Sequence, residues 1–368
     1  GTGASPYFYD YNKDGKPDLF IGSDGYYQAD GSLRTRVTYY ENTSTTNNPR
    51  FDLRTTDFLN MDTLNIRGAA IAIGDLDGDG KDDLVIGKND GTLMIYKNSA
   101  ITGTATPEWY QPVVMRDAAS AIIDVGDYAA PVIYDINNDG KKDLIIGSQV
   151  GKLWYYKNIG TLLGVANLQK ITDTLGGVMI KEANQMYTYV RPYIGKIDDI
   201  SKDYLLIGSR NGILYKYDGL AGGKTTGYKR VDSFYSNIKV RERAAPAVAD
   251  IDGNGMYDMV IGNTLGGVNL YRQFFNVGID DRSFTNGDVK VYPNPASDMI
   301  NVSWTSNIAA SDVEVSIVSI TGQKIWTATA KQGTSSVQIN TTGISSGVYY
   351  CIVRSAGNQS VTPVSIVK

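Results

Sequence analysis

Four short loops rich in aspartate place their carboxylates at a spacing that suits a metal ion. The loop DLDGDGKDD, residues 75–83, has aspartate at its first, third, fifth and ninth positions. Carboxylates this close together repel one another unless a cation cancels their charge. Alternate side chains of a tight loop converge on one point, a glycine permits the sharp turn, and the carbonyl of the seventh residue can add an oxygen. An oxygen-only ligand set predicts Ca²⁺.

The same register recurs in three other loops, which begin at Asp10, Asp135 and Asp250. The alternative interpretation is a set of Asx turns that hold no metal, but four loops in one register favour the metal. We predict about four calcium ions with dissociation constants of roughly 10⁻⁴–10⁻³ M, and none in the degenerate stretch 195–203. The candidate ligands, with the seventh residue acting through its carbonyl, are Asp10, Asn12, Asp14, Lys16, Asp18, Asp75, Asp77, Asp79, Lys81, Asp83, Asp135, Asn137, Asp139, Lys141, Asp143, Asp250, Asp252, Asn254, Met256 and Asp258.

The loops belong to a larger repeat. Each follows a strand of small residues such as YAAPVIYD and precedes a DLxIG strand and a tyrosine-rich strand such as GKLWYYKN. Weaker fourth-strand signals are FDLRT, EWYQP and YKRVD, and a fifth copy, 190–219, keeps the strands without the regular acids. Four antiparallel strands in each of five repeats predict an all-β protein with a five-bladed β-propeller, the alternative being a solenoid. The outer strand of the last blade is predicted near 282–286.

The composition excludes several classes of function. The absence of histidine removes the His-containing triads and the common zinc and copper sites. The single cysteine, Cys351, cannot form an intrachain disulfide, and we expect it to be a small buried hydrophobic residue. A net charge of −4 without a basic run argues against a nucleic-acid partner. No apolar stretch approaches the roughly 18 residues of a membrane span.

The pattern changes near residue 287, where the acidic loops stop. Serine, threonine, valine and isoleucine alternate through MINVSW, DVEVSIVSITGQKIW and SVQIN, with glycine and asparagine turns between them. This period of two predicts a small Ig-like β-sandwich over 287–368. The preceding segment, 276–288, is short and polar and is predicted to be a protease-accessible linker.

The two regions resemble two known families. Through the acidic loop, the AAP strand and the DLxIG strand, residues 1–286 resemble the FG-GAP (VCBS) repeat of integrin α-subunit heads and bacterial surface proteins. Through VYPNPASDMINV, ITGQKI, GISSGVYYCIV and a final strand ending in lysine, residues 287–368 resemble the type IX secretion sorting domain of Bacteroidota. The resemblances imply a calcium-binding propeller that type IX machinery reads through 287–368 and exports to the outside of a Gram-negative outer membrane.

In relatives of the repeat family, partners meet the face opposite the metal loops. Counting three residues back from each AAP-type proline position predicts a ring of residues at the mouth of the central channel, with further candidates beside it and in the enlarged first-blade hairpin. Tyrosine faces and arginine forks suit glycans or carboxylated polymers, although a polar, tyrosine-rich rim without function is the alternative. The candidates are Arg67, Tyr128, Tyr189, Arg243, Arg191, Arg241, Tyr26 and Tyr27.

The function predicted from these features is adhesion, binding or a structural role at the surface. The alternative is a calcium-dependent lyase or glycosidase acting on polysaccharides. However, the aspartates lie mostly in the metal loops, the few glutamates form no visible pair, and no catalytic residue is predicted. Two DTL sequences resemble the Asp-Ser/Thr-apolar O-glycosylation motif of these bacteria, which makes Thr63 and Thr174 candidate glycosylation sites.

Overall fold

The computed structural model describes residues 1–45, 49–198, 201–220, 222–273, 289–305, 308–355 and 358–368. The chain forms two compact units, Gly1–Gln273 and Phe274–Lys368. The predicted linker and the proposed outer strand at 282–286 lie outside the described residues. Short 3₁₀ helices connect some of the strands, at Phe58–Leu64, Leu175–Gly177, Tyr235–Asn237 and Ile308–Ala310.

The first unit is a β-propeller of five antiparallel sheets, in which neighbouring strands follow one another along the chain except for a hairpin inserted in the first. Blade 1 contains β1 (Ser5–Tyr9), β2 (Asp18–Gly22), β5 (Val37–Asn42) and β6 (Phe51–Thr55), with β3 (Tyr26–Tyr27) and β4 (Leu33–Arg34) as an inserted hairpin. Blade 2 contains β7 (Ala70–Gly74), β8 (Asp83–Gly87), β9 (Leu93–Tyr96) and β10 (Val113–Val114). Blade 3 contains β11 (Ala130–Tyr134), β12 (Asp143–Gly147), β13 (Leu153–Leu162) and β14 (Val165–Thr172).

Blade 4 contains β15 (Arg191–Gly195), β16 (Tyr204–Gly208), β17 (Leu214–Asp218) and β18 (Lys229–Asp232). Blade 5 has three strands among the described residues, β19 (Ala245–Ala249), β20 (Asp258–Gly262) and β21 (Val268–Tyr271). The predicted fourth strands at FDLRT and YKRVD form as β6 and β18. The fourth strand of blade 2 lies further along the chain than EWYQP. Trp109 makes only an isolated bridge to Asn98, and β10 begins after Pro112, because proline lacks the N–H that a strand ladder needs.

A main-chain hydrogen bond that recurs in every blade closes the ring of five blades. Just before each inner strand, one residue donates its N–H to a carbonyl of the preceding blade. The five donor–acceptor pairs are Gly3 to Thr264 (2.8 Å), Gly68 to Asp24 (3.2 Å), Tyr128 to Asn89 (3.0 Å), Tyr189 to Gln149 (3.1 Å) and Arg243 to Arg210 (2.9 Å). Because the first pair joins blade 1 to blade 5, five blades are sufficient for closure.

The acidic loops also help to pack neighbouring blades together. The second residue of the loop enters the core between its own blade and the next at Leu76 and Ile136, and Ile197 takes the same place in the degenerate loop of blade 4. Each is at most 2% exposed. Removing this much apolar surface from water stabilises an interface by about 1.5–3 kcal/mol per side chain. The conformation of each of these loops is therefore coupled to the packing of two blades.

The second unit is a β-sandwich with its own apolar core. One sheet contains β22 (Val289–Tyr292), β23 (Met299–Trp304) and β26 (Ser336–Asn340); the other contains β25 (Lys324–Ala330), β24 (Val313–Ser319), β27 (Gly347–Ser355) and β28 (Asn358–Ile366). Cys351 lies in this core, as expected, and burial raises the pKa of its thiol to about 12. No helix among the described residues is long and apolar enough to cross a membrane.

Candidate metal loops and channel mouth

The four acidic loops share one backbone conformation, which the first aspartate of each loop organises. Its carboxylate accepts an N–H from the glycine five residues later, at Gly15 (2.9 Å), Gly80 (2.8 Å), Gly140 (2.9 Å) and Gly255 (2.8 Å). These glycines have φ between 81° and 85°, the left-handed region that glycine adopts at little cost. The fifth side chain accepts the N–H of the seventh residue, at 2.7–3.1 Å in all four loops. The register predicted from the sequence is therefore one structural motif.

The ninth residue of each loop is a buried aspartate that joins two strands of the blade. One of its oxygens accepts a main-chain N–H from the third strand or just beyond it, at Asn42 (2.8 Å), Asn98 (3.0 Å), Asn158 (2.8 Å) and Gln273 (2.9 Å). The four aspartates are at most 1% exposed, and they are Asp18, Asp83, Asp143 and Asp258. A cation bound to the other oxygen would thus be tied to both strands.

Several loop oxygens fit a hard cation because they are buried without compensation. Among the described residues, the second carboxylate oxygens of Asp83 and Asp258 and the amide oxygen of Asn137 are buried and accept no hydrogen bond. Burial, with added repulsion from Asp77 and Asp79, raises the pKa of Asp83 to about 7. Burial likewise raises the pKa of Asp258 to about 6. Orphaned buried oxygens of this kind are costly unless something binds them.

The second loop brings three aspartates together at one point. Ligand oxygens of Asp75, Asp77 and Asp79 lie within 4.8 Å of one another. With Asp83 and the Lys81 carbonyl they form an all-oxygen donor set of the kind Ca²⁺ takes at 2.3–2.6 Å. When bound, calcium would neutralise the carboxylates and crosslink the loop to its hairpin. The residues present therefore fit the ion that the sequence predicts.

Three of the loops also carry a cationic side chain from the third-strand region. Lys97 pairs with Asp77 at 2.5 Å, Lys157 pairs with Asp139 at 3.1 Å, and Arg272 pairs with Asp252. The corresponding residue of blade 1 is Glu41, which pairs with Arg54 instead (2.7 Å). These tethered cations partly balance the loop charge, and sequence reasoning missed them because an isolated lysine beside an asparagine carries no distinctive signal.

Blade 4 replaces the loop acids with an internal ion pair. Tyr204 stands where the other blades have the ninth aspartate, and the ammonium of Lys216 contacts both oxygens of Asp198 at 2.5 and 2.7 Å. Lys216 is 8% exposed and lies over the ring of Tyr204 at 3.8 Å, and the hydroxyl of Tyr235 donates to Asp198 at 3.2 Å. Blade 4 thus carries its own positive charge at the position where a metal is predicted in the others.

We expect Lys216→Met to destabilise the propeller to the same extent with and without calcium. The substitution keeps an unbranched apolar side chain but leaves the Asp198 carboxylate without its ammonium, a loss of about 1–3 kcal/mol. Urea unfolding of the full chain in calcium and in EGTA measures the effect, and Arg50→Met, at an exposed arginine that pairs with Asp52, is the control. A calcium-dependent loss, or none, would contradict this role for Lys216.

At the opposite end of each inner strand, the residue that closes the ring has a left-handed backbone. Its φ is 65° at Gly3 and 80° at Gly68, but 61° at Tyr128, 50° at Tyr189 and 50° at Arg243. In blade 2 the position is held by Gly68, and the candidate Arg67 was wrong by one residue. Ile71 takes the place of the proline in that blade, and three residues back from it is Gly68. Glycine adopts this conformation freely, whereas other residues lose roughly 1–2 kcal/mol.

The three non-glycine residues form one cluster at the channel mouth. The guanidinium of Arg243 lies 3.9 Å from the Tyr189 ring centroid and 4.7 Å from that of Tyr128, and the two rings pack edge to face at 4.8 Å. Arg243 also donates to Asp24 at 3.0 Å, and Arg191 lies 3.9 Å from the same carboxylate. Sequence reasoning missed Asp24 because it lies in a stretch, SDGYY, that reads only as a hairpin turn.

The remaining candidates are more dispersed. Arg67 and Arg241 are exposed, Tyr27 is 74% exposed, and the Tyr26 ring lies beneath Arg36 at 5.5 Å. Thr63 is exposed and donates to the Asn60 carbonyl (2.8 Å), whereas Thr174 is half-buried beside Thr172. Glycosylation at the two threonines stays a prediction.

Comparison with known families finds one matching segment in each unit. The sequence profile of the FG-GAP-like repeat matches residues 10–86, and that of the secretion system C-terminal sorting domain matches residues 290–368. The chain therefore contains an FG-GAP-like repeat region and a C-terminal secretion sorting domain. The sorting domain indicates export by type IX secretion to the cell surface or the medium.

Other comparisons add little to the FG-GAP assignment. No curated protein matches the chain. Among solved structures, BBS1N in complex with ARL6DN is 16% identical, with coverage of 81% of this chain and 82% of that one and a TM-score of 0.29. The BSP domain of a biofilm associated protein is 10% identical, with coverage of 100% and 66% and a TM-score of 0.18. At these scores, neither likeness supports an argument about function.

Proposed function

We propose that the FG-GAP propeller is a calcium-stabilised binding protein that, once exported, recognises glycans or other surface polymers at its channel mouth. The observation that carries this proposal is the backbone at Tyr128, Tyr189 and Arg243. Blades 1 and 2 use glycine at the same position. Bulky residues kept in a strained conformation are often retained for a function, since glycine would remove the strain.

The chemistry of the cluster supports a polymer or glycan ligand. Tyrosine rings offer apolar faces with a polar edge, and arginine offers a rigid fork of donors. The cluster lies at one end of the inner strands and the acidic loops lie at the other, so calcium and ligand would occupy opposite faces of the propeller. Calcium would then support the scaffold without touching the ligand.

A glycan array probed with the calcium-loaded full chain tests this function, together with a degradation assay on every glycan that binds. The proposal expects binding that leaves the glycan intact. Cleavage of a bound polysaccharide would favour the alternative of a calcium-dependent lyase or glycosidase. Binding that persisted after the mouth cluster was removed would place the ligand elsewhere.

Replacing Tyr189 with glycine should separate stability from binding. The change relieves about 1–2 kcal/mol of backbone strain and removes ring contacts of about 0.5–1.5 kcal/mol, so the melting temperature should change by only a few degrees. Affinity for an array-selected glycan should fall by about tenfold or more. Tyr110→Gly, at a ring 65% exposed outside the cluster, is the control and should not change affinity. If Tyr189→Gly bound the glycan as tightly as the unchanged chain, ligand binding would not explain why Tyr189 is kept in a strained backbone conformation.

A further inference from the structure

The first residue of the innermost strand sets blade 4 apart from the other blades. Four blades place a small residue there, Ser5, Ala70, Ala130 and Ala245. Blade 4 places Arg191, which lines the central cavity of about 140 Å³ together with residues from all five inner strands. A long cationic side chain therefore enters the channel at the end where the mouth cluster lies.

The charges at this end of the channel do not balance. Asp24 accepts a hydrogen bond from Arg243, while the nearest atom of Arg191 is 3.9 Å away, beyond hydrogen-bond distance. The side chains of Asp24 and Arg191 are each 14% exposed. Asp127 lies beside Tyr128 but accepts from Gln149. One carboxylate thus faces two desolvated guanidiniums, an arrangement that is costly unless a further anion joins it.

We infer that Arg191 and Arg243 form a carboxylate-binding site at the channel mouth, and that its ligand is the uronate group of an acidic glycan. A guanidinium binds a carboxylate through two parallel hydrogen bonds, which the Arg191 fork is free to offer. Tyr128 and Tyr189 stand beside the site and provide surfaces for the apolar face of a sugar ring. This combination favours a uronate over an acidic peptide, which would need no ring surface. The inference rests on the proposed glycan-binding function and names its ligand class.

Calorimetry of the full chain with trigalacturonate, at equal calcium in both solutions, tests the site. Its methyl ester keeps the sugar rings and removes the charge, and triglutamate keeps the charge without the rings. We expect trigalacturonate to bind at least tenfold more tightly than either. Arg191→Met should weaken it by about 10- to 100-fold, while Arg50→Met, at an exposed arginine that pairs with Asp52, should have an effect below about twofold.

The outcomes distinguish this site from the wider proposal. Equal binding of the ester, or full affinity in a folded Arg191→Met variant, overturns the carboxylate site and leaves a neutral-glycan function intact. Equal binding of triglutamate overturns the uronate assignment. If no acidic or neutral glycan binds, both proposals fall. Should Arg191→Met not fold, Arg191→Lys decides: it keeps the charge but loses the fork, so undiminished affinity would overturn the inference.

Discussion

Excess EGTA should lower the melting temperature of the propeller by more than about 10 °C. At 10 mM calcium and dissociation constants of 10⁻⁴–10⁻³ M, each site contributes about 1.4–2.7 kcal/mol, or about 6–11 kcal/mol for four. For a domain of this size, 1 kcal/mol shifts the midpoint by about 2–4 °C. Leu76 and Ile136 connect the loops to the blade interfaces, so the loss of calcium should affect the propeller as a whole. Scanning calorimetry with and without EGTA measures it.

Two controls accompany this melting experiment. Adding calcium back beyond the EGTA concentration should restore the original midpoint, whereas the same concentration of magnesium should restore much less, because Mg²⁺ requires a smaller octahedral site and retains its waters. The transition of the sorting domain, which lacks the acidic loops, should stay in place. A propeller midpoint unchanged in EGTA would show that Asx turns alone hold the loops.

Deleting residues 289–368 should abolish export of the propeller while leaving its calcium dependence unchanged. The deleted unit has its own apolar core, which includes Cys351 and Val353. The removed segment also contains the match to the secretion sorting domain. Fractionation of the producing bacterium should therefore find the truncated protein inside the cell, most of it in the periplasm. Calorimetry of that protein should reproduce the EGTA-dependent shift of the full chain.

A substitution at an exposed position of the sandwich, which keeps the sorting domain folded, is the control for the deletion. Met299→Lys changes a residue that is 44% exposed on β23 and should leave export intact. If the truncated propeller reached the cell surface as efficiently as the full chain, the sandwich would be an accessory module and not the signal for secretion. Loss of calcium dependence on deletion would contradict the independence of the two units.

The sequence predicted the loops well because their chemistry is local. A register of acids at positions 1, 3, 5 and 9 around a glycine such as Gly80 determines the hydrogen bonds that shape the loop. The strands that flank each loop were also recognisable, since buried runs such as DLIIG precede a glycine-led turn. Periodicity located β6 and β18 but missed β10, where proline moves the paired residues beyond EWYQP.

The contacts at the channel mouth and the ion pair of blade 4 could not be predicted from the sequence, because they join residues that are far apart in the chain. Asp24 meets Arg243 across the closure between the first and last blades, a separation of 219 residues. Lys216 reaches Asp198 from the third strand of its blade, and in the sequence it is only one lysine between two tyrosines. The left-handed conformation of Tyr189 likewise follows from the ring of hydrogen bonds and not from its residue type.

Native mass spectrometry of the intact chain titrated with calcium tests the four-site propeller most directly. Four ions should bind per chain, and Asp75→Ala, which removes the carboxylate that organises the second loop, should leave three. Asp90→Ala, at an acid that is paired with Lys88 outside the loop, should still bind four. A chain that bound no calcium, or an Asp75→Ala variant that retained four ions, would contradict the account.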